Sequence, residues 1–158
     1  MIKKNRFITG FILFLFTLLI SQINFPLVIN SWIMPDYFLA LFTALIATRF
    51  LNISIFTYFL LGLIVDVLVG QLIGQYGLVF VVIYFTSFIL NKYFLFKSQI
   101  MQASQHIFLT TIGLIILLIS SLSYELSLNI DLFFMKWVVT CLICLLFHKL
   151  IKHLNIKN

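Results

Sequence analysis

The sequence predicts an all-α, polytopic membrane protein with six transmembrane helices, on three observations. Hydrophobic residues make up 63% of the 158 and charged residues 9%, against roughly 45–50% and about 25% in an ordinary soluble domain. Apolar runs approaching the ~20 residues that a spanning helix needs recur along the whole chain. When six crossings are drawn, nine of the ten Lys and Arg residues fall on one side. Four acidic and ten basic residues, net +6, are too few to solvate a globule of this size. That excludes a water-soluble fold, an acidic or disordered tail protein and a nucleic-acid binder with a basic face. The basic excess reads instead as a membrane topology signal.

The elements follow in order, as one integral membrane domain over residues 1–158. A first span over about 7–28 follows Lys3, Lys4 and Arg6 and frays at Pro26. No small-x-small cleavage site follows it, so it is expected to remain uncleaved. Pro35 and Asp36 open a second span over about 36–49: proline suits a first helical turn, and an acidic side chain there faces the positive end of the helix dipole. Arg49 stops it. Asn52 or Ser54 can cap a third span over about 53–70, and a turn with Gly70, Gly74 and Gly77 leads to a fourth over about 76–92. Residues 97–106 form the longest hydrophilic connection. A fifth span covers about 107–123, Glu125 and Asp131 bracket a short loop, and a sixth covers about 132–148 before Lys149, Lys152 and Lys157.

Basic residues concentrate on the cytoplasmic side of a membrane. Lys3, Lys4, Arg6, Arg49, Lys92, Lys97, Lys149, Lys152 and Lys157 share one side of this arrangement, and Asp36, Glu125 and Asp131 lie in the opposite loops. Both termini are therefore expected in the cytoplasm. No loop is long enough to house a soluble catalytic domain.

Two charges remain inside spans, Asp66 in the third and Lys136 in the sixth. Both lie roughly 6–8 Å below the outer boundary at 1.5 Å per residue. A lone charge at mid-bilayer costs about 2.5–3.5 kcal/mol on insertion scales. Two readings meet that cost: an interhelical Asp66–Lys136 ion pair, or a Lys136 that snorkels while Asp66 finds a polar partner. Gly62, Asp66, Gly70 and Gly74 recur every four residues and drift along one helical face, where small residues let a neighbouring helix approach closely. Ala40, Ala44 and Ala47 make a similar face on the second span.

Cys141 and Cys144, with His148 one turn on, share a helical face but lack a fourth ligand. Buried packing is the expectation, with no metal and no cofactor. His106 and His153 are expected to be solvated at the cytoplasmic interface. The 19 Phe residues are read as lipid-facing filler, and no catalytic motif appears.

The segment Met34-Pro-Asp-Tyr-Phe-Leu, and then Gly62-Leu-Ile-Val-Asp66-Val-Leu-Val-Gly70-Gln-Leu-Ile-Gly74, resembles the rod shape-determining protein MreD family. That family shows a Pro-Asp start to its second span and a G-L-x-x-D-x-x-x-G-x-x-x-G pattern in its third. The resemblance singles out Pro35, Asp36, Gly62, Asp66, Gly70 and Gly74. It implies a fold similar to the substrate-binding subunits of energy-coupling-factor vitamin transporters. The role it implies is that of a non-catalytic scaffold in the bacterial cell-elongation machinery, involved in cell shape and coordinating peptidoglycan synthesis. Its implied partners are an MreC-like protein, a RodA-type polymerase with its transpeptidase and, indirectly, MreB filaments; nucleic acid is not among them. The alternatives are a vitamin-capturing transporter subunit and, last, an intramembrane enzyme using Asp66 and Lys136.

Overall fold

The computed structural model describes residues 2–22, 34–51, 53–69, 72–94, 98–122 and 130–157. Among the described residues six helices follow one another: α1 (Ile2–Gln22), α2 (Tyr37–Ala47), α3 (Ile55–Val69), α4 (Gln75–Tyr93), α5 (Gln99–Leu122) and α6 (Ile130–Lys157). By length and apolarity three of them can cross a membrane, through Gln75–Tyr93, Gln99–Ser120 and Phe133–Leu154; α1, α2 and α3 carry shorter apolar stretches.

The bundle is organised around its shortest helix. α2 has 11 residues, about 16 Å at 1.5 Å per residue, or half of a bilayer core. Every residue from Phe38 to Ile46 is buried. α1, α4, α5 and α6 surround it, while α3 rests chiefly on α4. A helix that is apolar all round belongs in such an interior.

Phenylalanine does more than face lipid. Phe14 of α1 lies 5.9 Å from Phe38 and 6.1 Å from Phe42, and Phe42 lies 4.4 Å from Phe80 of α4. These rings bind three helices together. The outer face of α1, with Phe7, Phe11, Phe16 and Leu19 exposed, carries the lipid-type surface.

Glycine sets the tightest crossing. A Cβ on Gly62 would stand 2.5 Å from the backbone of Gly77 and 2.7 Å from that of Tyr76, so α3 and α4 touch main chain to main chain. The small-residue face of the third span thus does receive a helix, with Gly77 as its counterpart. Gly70 lies outside the described residues, as do Pro26, Asn52, Lys97 and Glu125. The Ser54 Oγ accepts the Thr57 N–H at 3.3 Å at the start of α3.

Two expectations about the basic end need correction. The hydrophilic connection expected over residues 97–106 is helical from Gln99 onward, because its Gln and His side chains have a polar interior to enter. His106, expected in solvent, is 2% exposed. It packs 4.3 Å ring to ring against His148, with its Nδ1 at 3.9 Å from the Cys144 Sγ.

Candidate functional site: a buried carboxylate–tyrosine junction

Helix starts leave backbone N–H groups without intrahelical partners, and in an apolar medium each must be met. Two helices of this bundle begin inside protein, and an aspartate serves each of them.

Asp36 is the N-cap of α2: its Oδ1 accepts the Leu39 N–H at 2.9 Å. Its own N–H donates to the Thr140 Oγ1 at 3.1 Å, and that hydroxyl donates to the Lys136 carbonyl at 2.7 Å. Thr140 lies ten residues into α6, about 15 Å from its first residue. Asp36 was expected in an outer loop; it lies instead beside the apolar stretch of α6 and is 7% exposed.

Asp66, near the end of α3, is wholly buried. Its Oδ2 accepts the Gly74 N–H and its Oδ1 the Tyr76 N–H, both at 2.8 Å. It therefore satisfies the first turn of α4 from the preceding helix. Gly74, the N-cap of α4, has φ 102°, in the left-handed region that glycine occupies at least cost. It has no side chain with which to cap, so the carboxylate eight residues earlier does so.

Tyr76 joins the two halves. Its N–H is on Asp66, and its hydroxyl donates to the Asp36 Oδ2 at 2.6 Å. The junction thus links α2, α3, α4 and α6, and all four carboxylate oxygens hold internal donors. Both carboxylates sit where helix dipoles favour negative charge.

Of the two readings of the intramembrane charges, the structure builds the one in which Asp66 finds polar partners. It does not bring Asp66 and Lys136 together as an ion pair: α3 packs on α4, α6 packs on α2 and α5, and Lys136 joins the junction through its carbonyl. Equal depth, as counted along the chain, did not make their two helices packing partners. The N–H donors of α4, only eight and ten residues along the chain, take the carboxylate first.

Pro35 lies beside the junction, immediately before the N-cap. Gly62 sits one turn below Asp66 at the α3–α4 crossing. Sequence reading missed Tyr76 and Thr140. The available signal was a hydroxylated aromatic two residues after Gly74, at the head of an apolar run. Among the described residues no group of three or more His, Cys, Asp or Glu could hold a metal ion. Cys141 and Cys144 are free and buried.

Apolar helices around a central buried helix, tied at one level by two capped carboxylates, define a helical-bundle membrane protein. The chain belongs to the MreD family: the family model for rod shape-determining protein MreD matches residues 1–156. Its role is accordingly in rod shape determination. No curated protein and no solved structure matches the chain.

Proposed function

We propose that the chain is a non-catalytic membrane scaffold that helps hold an MreC-like protein beside the peptidoglycan-synthesising machinery of an elongating cell. In this reading a RodA-type polymerase and its transpeptidase lie close by, and MreB filaments connect indirectly. The observation that carries the proposal is the saturation of the junction. Asp36 and Asp66 have each carboxylate oxygen engaged by a donor from the chain itself. Groups so committed fix helix positions, and neither carboxylate is free to act as acid or base on a substrate. The same commitment argues against vitamin capture, which needs polar groups converging on an open pocket; that alternative has no support here.

The reading includes six membrane passages, in a fold like that of the transporter subunits, with both termini in the cytoplasm. The charge order along the chain supports it: Arg49 follows α2, Lys92, Lys149 and Lys152 fall late in α4 and α6, and Asp36 and Asp131 stand at the starts of α2 and α6. α2 needs no full spanning length of its own, since a short segment buried in protein is tolerated at membrane depth.

The test is crosslinking and pull-down from native membranes, combined with depletion. Co-purification of an MreC-like protein and rounding of depleted rods are the expected results. A deletion strain of normal shape with no redundant copy would refute the proposal, and tags on the two ends reporting opposite faces would refute the topology.

A further inference from the structure

We propose that the basic end of the bundle binds one anionic phospholipid, with its headgroup phosphate in a cavity between α2, α4, α5 and α6 and an acyl chain in the adjoining groove. The cavity is about 260 Å³, and Asn91, Gln102, Gln105, His148 and Lys152 are among its lining residues. Pockets for drug-sized ligands run about 300–1,000 Å³, so this one suits a headgroup. The Asn91 amide donates one N–H to Ser87 Oγ and the Gln105 amide one to Asn91 Oδ1, both at 3.3 Å; the second N–H of each, with the imidazole and one ammonium, is the chemistry that phosphate oxygens accept.

Three observations point to an anionic amphiphile. The His148 Nδ1 is buried and has no hydrogen-bond partner, and Lys152 follows one turn later on the same helical face. No acidic residue occurs in α2, α4 or α5, and the one in α6, Asp131, is 21 residues before Lys152, about 31 Å along the helix. The positive charge of this end therefore lacks a protein counter-ion among the described residues. Gln105 also lines a second cavity of about 380 Å³, whose other walls include Leu90, Phe94 and Phe108. A polar cavity and an apolar groove that share a residue match a lipid better than a free ion.

The test uses the full-length protein in a neutral maltoside detergent. Phosphatidylglycerol and phosphatidylcholine are titrated separately, with retained lipid read by native mass spectrometry. Saturable retention of one phosphatidylglycerol per chain, with little phosphatidylcholine, is expected. K152Q should weaken retention about fivefold, the usual scale for one basic contact to an anionic lipid, and H148L, which removes the unpartnered Nδ1, should weaken it by more than twofold. K149Q alters an exposed lysine outside the cavity lining and should change retention less than twofold. Equal retention of the two lipids by the wild-type protein would overturn the proposal even if a variant failed to fold. So would an equal loss in K149Q and K152Q, which would reveal only diffuse surface attraction. In a further arm, inorganic phosphate is added alone; thermal stabilisation equal to that by phosphatidylglycerol would make free anion the occupant and overturn the lipid assignment.

Discussion

Replacing Gly62 by alanine tests how α3 meets α4 and, through that crossing, the junction itself. The added methyl would lie 2.5 Å from the Gly77 backbone, where carbon atoms prefer about 3.5–4.0 Å. Backbone cannot rotate aside, so the helices must separate by about 1 Å. Asp66 sits one turn further along α3, and its two bonds to α4 are 2.8 Å long. A shift of that size carries them to about 3.8 Å, beyond the range of a hydrogen bond. Interhelical bonds in membranes average only about 0.6 kcal/mol, but bonds to carboxylates reach about 1.5–3 kcal/mol each. Asp66 is wholly buried and water cannot replace the lost donors, so the upper scale applies and the loss should be about 3–6 kcal/mol. Thermal unfolding of purified protein, repeated on the Asp66→Asn variant and on the double variant, provides the assay. Gly62→Ala should be strongly destabilising, and Asp66→Asn should add little on top of it, since the bonds it removes are already gone. Stability close to wild type in Gly62→Ala, or additive losses in the double variant, would refute the linkage between crossing and junction.

Three further outcomes follow from the same geometry. Tyr76→Phe keeps the ring contact with Phe80 at 5.8 Å but removes the donor to Asp36, so unfolding measurements should record a loss of about 1.5–3 kcal/mol with the helical content unchanged. Thr140→Val deprives the Asp36 N–H of its acceptor while preserving shape and should cost about 1–3 kcal/mol; Thr140→Ser should restore most of it. Because the Asp66 carboxylate is held by the Gly74 and Tyr76 N–H groups and not by Lys136, Lys136→Gln should leave protein level and cell shape near normal where Asp66→Asn does not, and exchanging the two charges should give no rescue in a complementation assay.

The helix count and most helix positions were legible in the sequence because they depend on local quantities. Pro35-Asp36 marks the start of α2, and Thr48 with Arg49 marks its end. Arg49 has φ 49°, and α2 does not continue past it. Composition separated lipid-type surface from water, and the four-residue spacing of Gly62 and Asp66 marked a face for close helix contact. The helix from Gln99 to His106 was not legible, because polarity alone does not distinguish a loop from a helix whose polar side enters a lined cavity.

Neighbour relations were not legible. Depth along a helix can be counted from residue numbers, and by that count Asp66 and Lys136 suited one another. Which helices touch depends on packing among all six, and there the backbone contact at Gly62 and Gly77 sets α3 on α4. By itself the sequence determined a helical membrane protein, since hydrophobicity acts residue by residue. Only the tertiary structure decided that α2 lies inside the bundle and that Tyr76 bridges two aspartates 30 residues apart. A buried carboxylate is claimed by whichever donors packing brings within about 3 Å, and packing is a property of the whole chain.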